Sequence, residues 1–224
     1  QTKISSIKDA EGKYILESIA VAKKFNKWMY SQISYYLKNP AIEIGSGIGN
    51  ISTLAVNDLK EVTLSDYNQE YCNLLLTRVG NHTSVKSILT IDLLDPDFER
   101  TYLSLKGKYS SIFMLNVLEH IPDEGKAMRN CTFLLAPGGT IAILVPAYMS
   151  LFSPVDVTLG HCRRYSKKTL KKTVTSYGFS ISRIWHFNFL GMVGWLIFCK
   201  LLRRRIITTG QTRTFEWLIP VAKI

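Results

Sequence analysis

Apolar and polar residues follow two rhythms along the chain. In residues 3–37, which contain no proline, Met29, Ile33, Tyr36 and Leu37 recur at helical spacing, so a long N-terminal helix is predicted. Asn39-Pro40 ends it, because the residue before a proline is pushed out of the helical region. From Ala41 short apolar runs alternate with amphipathic stretches. Strands are predicted at 41–44, 62–65, 85–89, 111–115 and 140–145. Helices are predicted at 51–59, 71–79, within 95–105, and at 123–135, the last with Asp123 placed to cap it. Strands alternating with helices imply a central, mostly parallel sheet covered on both faces.

The rhythm changes after Pro146. Residues 147–165 form a long connection without periodicity, of the kind that makes lids or binding loops. Ser166 caps a helix running to Gly178, with Leu170, Val174 and Tyr177 inward and Lys167, Lys168, Lys171 and Lys172 on another face. Residues 179–187 read as a sixth strand. Residues 189–202 are apolar apart from Lys200 and precede Arg203-Arg204-Arg205. That run falls short of the roughly 20 residues of a membrane span. It is either a helix packed on the domain or an interfacial helix with its arginines near anionic headgroups. The expected division is a helical cap at 1–39, the α/β domain at 40–188 and an apolar, basic helical extension at 189–224.

Composition adds a bias in charge. The 224 residues carry a net charge of +11, and 46% are hydrophobic, enough for a substantial core. Between Val157 and Phe215 stand twelve Lys or Arg and no Asp or Glu, whereas the remainder is nearly neutral. Such a region attracts nucleic acid, anionic lipid or an anionic substrate. Cys72, Cys131, Cys162 and Cys199 lie far apart with no C-x-x-C, which fits a reducing, cytoplasmic compartment and offers no cysteine zinc site. No metal is expected. The chain opens at Gln1 rather than Met, without a charged-then-apolar leader, so a trimmed start is expected.

The chemistry concentrates in Glu43-Ile44-Gly45-Ser46-Gly47-Ile48-Gly49, between the first strand and the first helix of the α/β region. Glycines there let the backbone turn sharply and approach a ligand that side chains would exclude. A dinucleotide fingerprint requires G-x-G-x-x-G, but here the third glycine comes one residue early. Further along come Asp66-Tyr67 after the second strand, Asp92-Leu93 after the third, Asn116-Val117-Leu118-Glu119-His120-Ile121 after the fourth and Ala136-Pro137-Gly138-Gly139 before the fifth. Together these segments resemble the class I S-adenosylmethionine-dependent methyltransferases.

The resemblance implies a Rossmann-like methyltransferase fold and S-adenosylmethionine as cofactor, with S-adenosylhomocysteine as product. It assigns cofactor contacts to Glu43, Gly45, Ser46, Gly47, Gly49, Asp66, Tyr67, Asp92, Leu93 and Asn116. Asp66 would accept the ribose hydroxyls and Asp92 would lie near the adenine amino group. Asn116 would offer its backbone to the amino acid portion. Gly160-His161-Cys162-Arg163-Arg164-Tyr165 resembles a subgroup found with polysaccharide- and lipid-modifying enzymes. On that reading His161, Arg164 and Tyr165 close over the acceptor, Arg164 and Tyr165 binding it and Tyr165 also assisting catalysis. The alternative is a loop anchored by a buried histidine and its arginines. His120 is either a general base or a packed histidine orienting its loop, and His161 is the other candidate base. Glu119 reads as a structural carboxylate.

The expected reaction is methyl transfer to a small-molecule or lipid-like acceptor, with oxygen favoured and peripheral membrane contact through the basic region. The alternatives are a nucleic-acid methyltransferase and a catalytically silent binding module. The fourth-strand motif is not the Asp/Asn-Pro-Pro-Tyr type of many base-amino methyltransferases, which disfavours nucleic acid. The family's seventh, antiparallel strand has no convincing counterpart after Phe187, so either the chain is cut short or the sheet edge is built differently.

Overall fold

A computed structural model describes residues 21–202 together with Gly210, Glu216, Trp217 and Ile219. Five strands make one sheet: β1 (Ala41–Ile44), β2 (Val62–Asp66), β3 (Val85–Thr90), β4 (Tyr109–Leu115) and β5 (Leu135–Leu144). Their order is β3-β2-β1-β4-β5, and every pairing is parallel. The helices are α1 (Lys23–Ser31), α2 (Ser52–Asp58), α3 (Gln69–Val79), α4 (Phe98–Thr101), α5 (Glu124–Leu134), α6 (Pro154–Leu159), α7 (Lys167–Thr175) and α8 (Phe189–Trp195). The architecture is the expected doubly covered α/β sheet.

Alternation along the central strands sorts side chains into two cores. Ile42 and Ile44 of β1, with Ile112 and Met114 of β4, meet Met128, Cys131 and Leu134 of α5 and Val174 of α7 on one face. Ala41 and Phe113 point the other way, onto Met29 and Tyr30 of α1, Ala55 and Val56 of α2 and Leu75 of α3. All four residues of β1 are buried, as a central parallel strand requires. The order reverses between β1 and β4, and the crevice beyond the carboxyl ends of strands at such a switch point is where open α/β sheets place ligands.

Several details differ from the sequence reading. The N-terminal helix stops at Ser31 and gives way to a single tight turn at Ser34–Tyr36, before Asn39-Pro40 is reached. Residues 1–20 of that expected helix lie outside the described residues. The connection 147–165 contains α6, opened by a capping box in which Ser153 and Asp156 bond reciprocally, with Pro154 in the first turn. Residues 179–187 are not a strand. Their apolar members divide between the two cores, Phe179 and Ile181 on one and Phe187 on the other, so no edge is offered to β5. Among the described residues no seventh strand follows, and none of the helices is long and apolar enough to cross a membrane.

Candidate active site

The glycine loop leaves β1 at the switch point. Gly45 adopts φ +72°, and a Cβ there would lie 2.5 Å from Val117 Cγ2, in the loop after β4. Only glycine permits both this conformation and this approach. Gly47, at φ +53°, donates its N–H to Asp66 Oδ2 at 2.8 Å, so the loop is tied to the end of β2. Asp66 Oδ1 accepts from Asn68 N–H at 2.9 Å. Burial pushes the Asp66 carboxyl up, opposed by the backbone N–H groups of Asn68, Gly47 and Tyr67. Beneath the loop Glu43 is buried and accepts from the hydroxyls of Ser46 at 3.0 Å and Ser52 at 2.5 Å. Desolvation pushes its carboxyl up to about 7 against those two hydrogen bonds.

The remaining expected cofactor residues take distinct places. Tyr67 is exposed beside Asp66. Asp92 is exposed after β3, where its Oδ1 accepts from Leu94 N–H at 2.7 Å. Leu93 turns into the core, and its carbonyl accepts from Asn130. Asn116 is exposed directly after β4 at φ +55°, a conformation that non-glycine residues seldom adopt outside turns and functional sites. The loop lies where β1, β2 and β4 end, with Val117 packed against Gly45 and Leu75 against Gly49.

Past Asn116 the chain makes a tight turn over Leu118–His120. Against it lies the segment after α6, joined by Cys162 N–H to the Glu119 carbonyl at 2.8 Å and by Arg163 to the carbonyls of Ile121 and Pro122. This juncture brings together residues 41 to 43 positions apart. His161 Nδ1 lies 2.8 Å from Asp156 Oδ1, and its Nε2 is 4.0 Å from Glu119 Oε1. The His120 and His161 rings meet edge to face, 4.6 Å between centroids. One donor atom from each of Glu119, His120 and His161 lies within 4.8 Å of the others.

Asp156 organises this cluster. It is fully buried and also accepts from Arg164 Nε at 2.7 Å and from the Ser153 N–H and hydroxyl. Burial works against its charge, but hydrogen bonds from His161, Arg164 and Ser153 outweigh it and hold the carboxyl below its usual range. Glu119 is the opposite case. It is equally buried, yet among the described residues neither carboxylate oxygen has a hydrogen-bond partner. Desolvation pushes its carboxyl up to about 8. Desolvation, then the neighbouring His161, holds His120 down to about 4, although the residue keeps an opening to solvent.

Both candidate bases therefore belong to one cluster, while Arg164 and Tyr165 stand behind it. Arg164 is buried, stacks on Trp195 at 4.4 Å and reaches the Ala147 carbonyl. Tyr165 is buried too, and its hydroxyl donates to Glu124 Oε2 at 2.6 Å. Burial, then Glu124, raises the phenol far above its usual range. Their contacts position the loop rather than face an acceptor. Sequence reasoning passed over two residues of the cluster, Asp156 and Glu119. Ser153-Pro154-x-Asp156 is a legible helix start, and its Asp is the carboxylate that reaches His161. Nothing in the sequence marked Glu119 as unpartnered.

The methyltransferase domain family model matches residues 36–183, which takes in the glycine loop, the cluster and α7. The chain belongs to this family. It is 28% identical over 100 residues to a ubiquinone biosynthesis O-methyltransferase of Xanthomonas campestris pv. campestris, covering 45% of this chain and 40% of that protein. The chain thus matches well under half the length of these curated relatives. Among solved structures, it resembles the Haemonchus contortus phosphoethanolamine N-methyltransferase 2 bound to phosphomonomethylethanolamine and S-adenosylhomocysteine (TM-score 0.56, 17% identity, 82% of this chain and 41% of that one). It also resembles the trans-methyltransferase CalH in complex with S-adenosylhomocysteine (TM-score 0.54, 17% identity, 70% and 52%). At these identities the likeness to solved structures establishes the fold, and the family model establishes membership of the methyltransferase domain family.

Proposed function

We propose that this methyltransferase moves the methyl group of S-adenosylmethionine to a hydroxyl of a small, largely apolar acceptor. The observation that carries the reading is the Asp66-anchored glycine loop, which leaves β1 at the switch point of the sheet. The bound cofactor supplies an electrophilic methyl on a sulfonium. The residues of the chain hold and orient the partners. Gly45, Gly47 and Gly49 let the backbone approach the nucleoside. Asp66 keeps a second lone pair on each oxygen for the ribose hydroxyls. Asp92 serves the base, and Asn116 presents its backbone to the amino acid tail. Positioning the acceptor against the methyl converts an encounter in solution into a local step.

An open groove of about 330 Å³ between the 148–151 turn and α8 suits the acceptor, being lined by Tyr148, Leu151, Met192, Val193 and Leu196. A hydroxyl must lose its proton as it is methylated, and the Glu119–His120–His161 cluster is where this chain provides for that loss. The curated relatives are named for O-methylation in ubiquinone biosynthesis, which agrees with an oxygen acceptor on an apolar molecule. The exposed side chains of Phe189, Leu190, Ile197 and Phe198, next to a basic sequence, support contact with a lipid surface where such acceptors reside.

The test is transfer of labelled methyl to matched phenol, amine and thiol members of one apolar scaffold, with duplex DNA alongside. The expected result is incorporation into the phenol, reduced about 10²-fold or more in Asp156→Asn, which misorients His161. Methylation of DNA, or of the amine in preference to the phenol, would replace this reading.

A further inference from the structure

Both imidazoles at the cluster are tethered on one side. His161 holds Asp156 through Nδ1, and one ring nitrogen of His120 bonds the Leu159 carbonyl. A neutral imidazole that donates through one nitrogen presents a lone pair on the other. Outward tethering to a carboxylate or a backbone carbonyl is how proteins orient histidines that ligate metals. Beside these rings stands Glu119, fully buried, and among the described residues neither of its oxygens has a hydrogen-bond partner. Burial disfavours the charged form of an unpaired carboxylate, and a cation bound beside it would restore that charge. Arg164 does not serve, because its guanidinium is committed to Asp156 at 2.7 Å and to the face of Trp195.

We propose that Glu119, His120 and His161 are the protein ligands of a divalent transition-metal ion such as zinc, manganese or cobalt, whose open positions receive the acceptor oxygen. Two imidazoles and one carboxylate leave coordination sites free, the arrangement of catalytic rather than structural centres. The donor atoms lie within 4.8 Å of one another, and Glu119 Oε1 is 4.0 Å from His161 Nε2. A tetrahedral ion with bonds of about 2.1 Å draws donors to about 3.4 Å apart, a contraction that side-chain adjustment can supply. The opening lies on the side of His120, which is exposed. The ion pairs the Glu119 charge and acidifies the bound O–H as a Lewis acid. The proton passes to water, the oxygen lone pair forms the bond to the methyl carbon, and the carbon–sulfur bond electrons return to sulfur.

This inference rests on the methyl-transfer reading, but its test does not. Chelator-treated protein is titrated with Co²⁺, followed by visible absorption, and with Zn²⁺, followed by elemental analysis. S-adenosylhomocysteine binding is measured on the same samples. One equivalent of each metal is expected. Affinity should fall at least tenfold in Glu119→Gln and in His161→Gln, fall about tenfold in Asp156→Asn, and stay unchanged in Cys162→Ser, whose thiol is exposed nearby. If Glu119→Gln does not fold, His161→Gln and Asp156→Asn carry the comparison. Absence of saturable Co²⁺ binding by folded protein overturns the site. So does binding that survives Glu119→Gln and His161→Gln, or that only Cys162→Ser removes. Nucleoside binding without metal binding refutes this inference alone, whereas metal binding without nucleoside binding refutes the proposed function instead.

Discussion

Glu43 sits where a charge is least welcome, on a fully buried strand, with only the Ser46 and Ser52 hydroxyls for partners. Its carboxyl is raised from 4.5 to about 7, chiefly by desolvation. The folded state therefore keeps a proton that the unfolded chain releases, and the associated stability is present below about pH 4.5 and lost as pH rises through 7. Relative to Glu43→Gln, the native protein should lose on the order of 3 kcal/mol between pH 5 and pH 8 in denaturant titrations. Parallel curves for the two proteins would contradict this. At Gly45, alanine meets both the positive φ and Val117, so Gly45→Ala should destabilise by about 1–3 kcal/mol and weaken nucleoside binding. The glycine loop and Asp66 were legible in the sequence because their spacing is itself the signal. Glu119 and Asp156 were not, since their meaning depends on a partner absent in one case and supplied from 5 residues away in the other.

Elements were legible where burial alternates cleanly. Strands β1 to β4 stand where short apolar runs stood, β5 begins earlier than expected, at Leu135, and Asp123 caps α5 through Lys126 N–H as expected. The failures share a cause. Helix α6 is only Pro154–Leu159 long, too brief for a periodic signal, and is set by its cap instead. Residues 179–187 show strand-like alternation in sequence, but Phe179 and Ile181 pack on one core and Phe187 on the other without strand pairing. The cap of α6 is shared with the histidine cluster, since Asp156 belongs both to the capping box and to the His161 contact. Ser153→Ala should cost about 1 kcal/mol in thermal or denaturant unfolding. It should also lower methyl transfer, because Asp156 loses a hydroxyl that helps fix it. A stability loss with unchanged turnover would separate the cap from the site.

At the scale of the molecule, the sheet order gathers the ends of β1, β2 and β4, and contacts between segments distant in sequence hold elements in place. Glu216 accepts the backbone N–H groups of Lys24 and Phe25, at 3.1 and 2.7 Å, and so holds the first turn of α1 across nearly the whole chain. A carboxylate there satisfies two orphan donors and complements the helix dipole. Glu216→Ala should lower stability by about 1 kcal/mol, with increased hydrogen exchange concentrated in α1. Uniform exchange would show that the contact is dispensable. Neither the sheet order nor this long-range contact was readable from local pattern, because each pairs residues with no common period.

The central claim is that the glycine loop and Asp66 hold the nucleoside of a methyl donor. Isothermal titration with S-adenosylhomocysteine tests it most directly, with NAD as the competing nucleotide and Asp66→Ala as the altered protein. One site per chain is predicted for the sulfur nucleoside and none for NAD, with affinity reduced at least tenfold in a folded Asp66→Ala protein. No binding to the native protein, or equal binding to Asp66→Ala, would contradict the account.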